Sequence, residues 1–275
     1  MPLPLSSPHV HTQFCDGKSA AEDMARAAHA LGFVSLGFSS HSSLAFDLVF
    51  AMSAEGEQAY IREVTRIRDE YAGRMKVWLG IEADSFSAFD RSAYEYTIGS
   101  VHYLACPDGY MLPVDAEAHL LADGIAKYYA GDGVAMAADY FANMGKYVRE
   151  FRPDIIGHFD LVTKYNGDGS LFDTGDPRYR RAATDALDEA KAGCDLLEVN
   201  TGAMARIGSP APYPEYRLLE YWRSIGGRVI LSSDCHSAKD LTAGYELAES
   251  LVRRAGFREA WLLGTGEALF EAAAL

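Results

Sequence analysis

The chain alternates short apolar runs with longer segments in which apolar residues recur every three or four positions. Each short run predicts a strand. Its mostly apolar composition, in place of strict alternation, indicates a strand covered on both faces, as in a parallel sheet. Strands are predicted over residues 9–14, 34–40, 76–83, 96–104, 154–161, 195–201, 228–236 and 260–264.

The longer segments predict helices. Ser19 and Glu22 have the spacing of a capping box, which marks the start of a helix that ends near Leu31 before Gly32. Repeated strand–helix units without a Pro/Gly/Ser linker favour one α/β barrel-like domain spanning residues 1–275. The irregular segment 106–119 is predicted to be a loop or lid beside the functional site. The helices are predicted over residues 19–31, 54–72, 136–151, 178–192, 214–225 and 240–255.

Composition narrows the class of protein. The apolar fraction of 49% favours a folded chain with a buried core, and the net charge of -14 opposes nucleic-acid binding. The chain has no apolar run long enough to span a membrane and no signal-peptide pattern at its start. Four cysteines without metal-type spacing indicate reduced thiols and a cytoplasmic protein. The sequence gives no signal for an oligomeric state.

Most of the histidines lie at or near the ends of predicted strands. On one strand, His9 and His11 would point to the same face, because side chains alternate with period two. The carboxyl ends of parallel barrel strands form one face, so these groups should converge there. Each residue alone has an ordinary structural explanation, but together they would be costly to bury without a cation. The predicted metal ligands are His9, His11, Asp16, His41, Glu82, His102, His158, Asp234 and His236.

Other polar residues near these positions have less specific roles. Asp84 and Asp160 share strand faces with Glu82 and His158, so they could orient a ligand or simply end a strand. Cys15 and Cys235 are interpreted as packing residues. His29 and His119 lie away from the strand ends and are expected to have structural or solvent-exposed roles.

The motifs resemble those of the polymerase-and-histidinol-phosphatase (PHP) superfamily of metal phosphoesterases. HVHTQFCDG is similar to its first motif, GFSSHS to its second, and GIEAD with IGSVHYL to its third; DIIGHFDL and LSSDCHS resemble the remaining ones. IGSVH, GHFDLVTKYN, EVNTGA and SSDCHSAKDL are most similar to the histidinol-phosphate phosphatase branch. One departure is Ser40, where many members have Asp, and it suggests a looser third metal site.

The resemblance implies a single distorted (β/α)7 TIM-like barrel that holds three divalent ions, zinc, manganese or iron, at the carboxyl ends of its strands. His9, His11, Glu82 and Asp234 would hold the first ion, and a bridging Glu82 with His102 and His158 the second. Asp16, His41 and His236 would hold the third. Lys164 and Arg206 follow two of the strands and are candidate phosphate-binding residues. Asp234 and His236 are candidate proton donors.

The expected activity is hydrolysis of a small phosphate monoester, L-histidinol phosphate, in histidine biosynthesis, with a metal-bound hydroxide as the nucleophile. Four alternatives stay open at this point: a PHP enzyme acting on another small ester, a PHP nuclease, a metal-dependent amidohydrolase and a noncatalytic metal-binding module. The net charge of the chain counts against the nuclease. No membrane partner is expected.

Overall fold

A computed structural model describes residues 2–275 of the chain. Its strands within this range are β1 Ser6–Ser7, β2 Ser35–Phe38, β3 Lys76–Asp84, β4 Tyr96–Ser100, β5 Tyr103–Ala105, β6 Met111–Pro113, β7 Ile155–Ile156, β8 Leu196–Asn200, β9 Arg228–Ser232, β10 Glu259–Leu263 and β11 Phe270–Ala274. Its helices are α1 Ala21–Ala30, α2 Ala54–Glu70, α3 Ala118–Tyr128, α4 Gly133–Phe151, α5 Pro177–Lys191, α6 Gly202–Ile207, α7 Tyr216–Ser224 and α8 Tyr245–Arg254. None of these helices is long and apolar enough to cross a membrane.

The strands form a curled sheet in the order β1-β2-β3-β4-β7-β8-β9-β10-β11, and β5 pairs with β6 in a separate hairpin. Neighbours from β1 to β10 are parallel, and β11 returns antiparallel to β10. Beyond the ends of β1 and β9, Val10 and Cys235 form a parallel bridge, and the His11 N–H donates to the Cys235 carbonyl at 2.9 Å. This bridge closes a ring from β1 to β9 through β2, β3, β4, β7 and β8. The predicted distorted (β/α)7 barrel is confirmed.

Tyr96 fills part of the barrel interior. Its buried ring reaches from β4 across the sheet, and its hydroxyl donates to the carbonyls of Pro8 and Phe38. Gly80 on β3 makes room for the ring, because a Cβ there would lie 2.2 Å from the Tyr96 Cζ atom. The barrel interior therefore contacts the backbone immediately before His9.

Within residues 2–275, three of the eight helices, α2, α4 and α5, begin with a side-chain cap. Ser53 accepts a hydrogen bond from the Gly56 N–H at the start of α2, and Asp132 accepts one from Ala135 at the start of α4. The capping box predicted from Ser19 is wrong. The Ser19 hydroxyl instead accepts from the Ala238 N–H, and α1 begins at Ala21, whose N–H donates to the Gln13 side chain.

Several predicted strand boundaries are wrong. Residues 9–14 form no continuous strand, because the chain leaves the ladder after Ser7, makes one isolated bridge at Val10 and enters a turn at Gln13. The prediction over 228–236 is too long, since β9 ends at Ser232. Residues 96–104 divide into β4 and β5, and the predicted loop 106–119 contains β6 and the start of α3. In each case the chain turns where polar side chains enter the site.

Candidate metal centre

The carboxyl ends of the barrel strands hold all nine of the predicted ligand residues. The connection after β1 supplies three of them, and the ends of β2, β3, β4, β7 and β9 supply the rest. Most are buried, which is unusual for so many ionisable side chains in one place. The residues brought together are His9, His11, Asp16, His41, Glu82, His102, His158, Asp234 and His236.

Glu82 lies at the middle of the cluster. Its Oε2 atom is 3.2 Å from the His9 Nε2 atom and 2.9 Å from the His41 Nδ1 atom. Its Oε1 atom is 3.0 Å from the His158 Nε2 atom and 3.4 Å from the His102 Nε2 atom. The two carboxylate oxygens thus face two separate groups of imidazoles, which is the arrangement a bridging carboxylate requires.

Asp234 and Asp16 extend the cluster on the β9 side. The Asp234 Oδ1 atom lies 3.2 Å from the His11 Nε2 atom. The Asp16 Oδ1 atom lies 3.6 Å from the His11 Nδ1 atom, and its Oδ2 atom lies 3.0 Å from the His236 Nε2 atom. His11 therefore stands between the two carboxylates, and the cluster is continuous.

The backbone around Asp234 is specialised. Asp234 has a φ of 43°, a left-handed conformation that is uncommon for residues other than glycine. Its side chain packs against Gly202 at the start of α6, where a Cβ would lie 2.8 Å from the Asp234 Oδ2 atom. A glycine at 202 is thus needed for the observed position of the carboxylate.

The carboxylates of the cluster are strongly biased towards ionisation. Burial opposes the charge on Glu82, but the imidazoles of His41, His9 and His102 outweigh it and hold its pKa well below the usual range. Burial also opposes the charge on Asp234, and the Arg206 guanidinium with nearby histidines holds that pKa well below its usual range. Both groups are anionic at neutral pH.

The imidazoles respond to these anions in two ways. Burial opposes protonation of His9, His41 and His102, but nearby carboxylates, chiefly Glu198 for His9 and Glu82 for the other two, outweigh it and raise each pKa. Burial, together with His236 and His41, lowers the pKa of His11 to about 3, so this ring is neutral. The cluster therefore favours bound positive charge, and in the absence of metal ions its carboxylates favour protonation of the neighbouring imidazoles.

The donor set fits divalent metal ions. Within residues 2–275, the buried Glu82 Oε2 and Asp16 Oδ1 atoms accept no hydrogen bond, which is costly unless a cation satisfies them. Mixed imidazole and carboxylate donors suit zinc, manganese or iron. Three groups have ligand atoms within 4.8 Å of one another: His9, His11 and Asp234; His41, Glu82 and His102; and His11, Asp16, His41 and His236.

Asp84 supports the position of a predicted ligand, whereas Asp160 and Cys15 have other roles. Asp84 accepts hydrogen bonds from the His102 backbone N–H at 2.9 Å and, at 3.1 Å, from the His102 Nδ1 atom. Asp160 instead accepts from the Glu215 N–H at 2.8 Å. Cys15 contacts His11, but burial raises its pKa to about 11, so the thiol stays protonated and is a poor metal ligand.

The two predicted phosphate-binding residues border the cluster but already have partners. The Lys164 Nζ atom donates to the Asp115 Oδ2 atom at 2.8 Å. Arg206 donates through Nη1 and Nη2 to the two carboxylate oxygens of Asp234, at 2.9 Å each, and its Nη1 atom is 2.6 Å from the His236 Nδ1 atom. Both cations are therefore held in place at the edge of the site.

Two acidic residues of this region are not found by the sequence reasoning. Asp115 lies in the irregular segment 106–119, where no periodicity indicates which way a side chain points. Glu198 lies fully buried on β8, bonded to the His9 ring. A charged residue inside the apolar run DLLEVN is the signal that indicates it.

The PHP domain model matches residues 7–202, most of the chain and nearly all of the barrel ring. The chain belongs to the PHP domain family. The resemblance carried by the strand-end motifs is thereby confirmed, and the matched PHP residues include seven of the nine cluster residues.

Relatives of this PHP protein are histidinol-phosphatases. A probable histidinol-phosphatase of Deinococcus radiodurans is 30% identical, over 92% of this chain and 95% of its own. The histidinol-phosphatase of Bacillus subtilis is 24% identical, over 86% of this chain and 96% of its own. The chain thus lies in the histidinol-phosphatase branch of the PHP superfamily.

Solved structures agree on the fold of this PHP domain. The putative histidinol phosphatase of Listeria monocytogenes superposes with a TM-score of 0.77 at 20% identity, covering 88% of this chain and 98% of the other. The Lactococcus lactis histidinol phosphate phosphatase, solved with zinc, L-histidinol and phosphate, gives 0.69 at 19% identity, covering 94% and 96%.

Proposed function

We propose that this PHP protein is a histidinol-phosphatase, a metal-dependent phosphomonoesterase that hydrolyses L-histidinol phosphate to L-histidinol and phosphate. The observation that carries the proposal is the buried cluster centred on Glu82, whose two oxygens face two groups of imidazoles. The histidinol-phosphatase relatives along nearly the whole chain support the substrate. The four free cysteines support a cytoplasmic protein.

The cluster would hold three divalent ions, zinc, manganese or iron. We assign His9, His11, Glu82 and Asp234 to the first, Glu82, His102 and His158 to the second, and Asp16, His41 and His236 to the third. When bound, the ions supply an activated water and positive charge for the phosphate oxygens. The protein contributes rigid, buried ligands whose carboxylates are already ionised.

Cationic side chains complete the phosphate site. Arg206 keeps N–H groups beyond those used by Asp234, and these would donate to a phosphate oxygen. Lys164 would bind a second oxygen from its position beside Asp115. Both side chains balance the charge that spreads over the phosphoryl oxygens in the transition state.

The proton for the leaving alkoxide is assigned to Asp234 or His236 only as a prediction. Burial opposes ionisation of Asp234, but Arg206 and the neighbouring imidazoles keep its pKa well below the usual range. A carboxylate that carries no proton at neutral pH cannot donate one. This counts against Asp234, and His236, which is assigned to the third ion and accepts from Arg206, is equally constrained, so the donor stays open.

The test is phosphate release from L-histidinol phosphate, beside a panel of other phosphate monoesters and an amide substrate, using protein reconstituted with zinc, manganese or iron. We expect strong preference for L-histidinol phosphate. Turnover of other esters alone would keep the phosphatase chemistry and reject the substrate. Cleavage of amides, or of nothing, would favour the amidohydrolase or the noncatalytic module.

Replacing His102 with alanine provides the matched genetic test. We expect His102→Ala to lower phosphate release at least about 100-fold, since a ligand beside Glu82 is removed. His119→Ala is the control, because His119 is exposed on α3 and contacts Glu117 away from the cluster. Full activity of His102→Ala would reject the second proposed ion site.

A further inference from the structure

Glu198 is a buried carboxylate that faces the cluster without belonging to the proposed ligand set. It lies on β8 with no exposed surface, between the ends of β7 and β9. Four donors converge on its two oxygens: His9, Ser232, the His158 backbone and Asn200. A carboxylate with four donors and no water contact is held in one orientation.

The Glu198 Oε2 atom sets the state of the His9 ring. It lies 2.9 Å from the His9 Nδ1 atom and accepts a second hydrogen bond from the Ser232 hydroxyl at 2.7 Å. An imidazole that donates from Nδ1 presents the lone pair of Nε2 when it is neutral. The His9 Nε2 atom points into the cluster, 3.2 Å from Glu82.

The Glu198 Oε1 atom is linked to two further proposed ligands, to His158 directly and to Asp234 through Asn200. It accepts from the His158 backbone N–H at 2.5 Å and from the Asn200 side-chain amide at 2.8 Å. The same Asn200 amide donates to the Asp234 Oδ2 atom at 3.1 Å. The Gly202 N–H donates to the Asn200 Oδ1 atom at 2.8 Å, which fixes the amide with its NH2 group towards both carboxylates.

We propose that Glu198 is a positioning residue that holds His9 and His158, and through Asn200 also Asp234, in the arrangement needed to bind the first and second ions. The inference rests on the proposed metal centre. Glu198 contacts neither Asp16, His41 nor His236, so its influence ends at the first two ions. The affinity for the third ion is therefore expected to stay unchanged when Glu198 is replaced, and it serves as the reference for the other two.

The substitution Glu198→Gln tests this with little change of shape. A glutamine side chain has one accepting oxygen and one donating NH2 group, so it cannot accept from all four donors. Either His9 or His158 then faces a donor instead of an acceptor. We expect the affinity for at least one of the first two ions to fall about 10- to 100-fold, as is typical when a partner of a ligating histidine is removed.

Asp154→Asn is the matched control. Asp154 also accepts several hydrogen bonds, from the Thr97 N–H, the Thr97 hydroxyl and Arg91, but it lies just before β7, at the opposite end of the barrel. We expect this variant to lower the unfolding temperature and leave metal affinity unchanged. A general loss of stability is thereby separated from loss of ligand positioning.

The measurement is the metal content and affinity of each variant, by elemental analysis and chelator competition, with the unfolding temperature of the metal-free proteins beside it. We expect three tightly held ions in the wild type and, in Glu198→Gln, a third ion of unchanged affinity beside at least one weakened ion of the first two sites. Three ions at wild-type affinity in Glu198→Gln would overturn the proposal. So would equal weakening of all three, because the third site lies beyond the reach of Glu198.

A second variant and the wild type itself separate misfolding and lack of activity from the proposed role of Glu198. If Glu198→Gln does not fold, Asn200→Ser removes the amide link to Glu198 and Asp234 without changing charge, and wild-type affinity in that variant would overturn the proposal. Since affinity is measured instead of turnover, a wild type that binds metal but releases no phosphate would reject the proposed activity alone. A wild type that binds no metal would reject both.

Discussion

Arg206 joins the β8 side of the barrel to the end of β9. It donates to both carboxylate oxygens and to the backbone carbonyl of Asp234, and it contacts His236. A guanidinium is suited to this role, because its planar N–H groups match the two oxygens of a carboxylate. Arg206 thus orients a proposed ligand and faces the proposed phosphate at once.

Arg206→Lys should lower kcat/KM for the phosphate ester about 10- to 100-fold, since a lysine keeps the charge but cannot make the bidentate contact. The measurement is steady-state phosphate release with metal-saturated enzyme. Arg66→Lys is the control, because Arg66 is exposed on α2 and pairs with Glu63 and Glu70 on that helix and with Glu22 on α1, away from the cluster. Unchanged kcat/KM in Arg206→Lys would show that the bidentate contact is dispensable.

At the residue scale, the sequence places side chains well where a strand ends in a charged or imidazole group. The convergence of His9, Glu82, His158 and Asp234 could be predicted because parallel strands present their carboxyl ends on one face. The partners of those residues could not be predicted. Asp115 reaches Lys164 from an irregular segment, and a strand pattern does not indicate which buried donors meet Glu198.

At the scale of elements, the order of strands and helices could be predicted, but several boundaries could not. Apolar runs mark β3, β8 and β10 closely, because burial on both faces demands them. The irregular stretch over residues 9–14 is misread as strand, since the predicted ligands interrupt the ladder there. The β5–β6 hairpin is missed because its strands are too short to show a period.

Gly80→Ala should destabilise the barrel by about 2 kcal/mol or more, because the added Cβ overlaps the ring of Tyr96 on the adjacent strand. Chemical denaturation of the metal-free protein measures this. Gly167→Ala is the control, since a Cβ there meets no atom of residues 2–275 within 4 Å. A stability equal to that of the control would mean that Tyr96 can leave the interior without cost.

At the scale of the whole molecule, the net negative charge repels an anionic substrate, whereas a metal-loaded site would attract it. The net charge of -14 is unfavourable for an anionic substrate, whereas bound divalent ions would reverse the field locally. In the cluster itself, carboxylates raise the pKa of His9, His41 and His102 against the effect of burial. Protons therefore compete with metal ions for these nitrogen atoms.

Metal binding should release protons, and the apparent affinity should rise with pH. Nearby carboxylates raise the pKa of His9, His41 and His102, so each imidazole holds a proton more tightly in the metal-free protein and must lose it to become a ligand. Calorimetric titration with zinc in buffers of different ionisation enthalpy measures the release. We expect at least about one proton per protein molecule at pH 7. Binding that is independent of buffer would contradict the assignment.

The bridge between Val10 and Cys235 closes the barrel, and the residues beside it, His9, His11 and Asp234, are the proposed ligands of one ion. The seam joins segments separated by more than 200 residues, so it forms only after the last ring strand has docked against the first. The proposed ion would therefore find these three ligands together only once both segments are in place. Binding of this ion would then report that the ring of strands has closed.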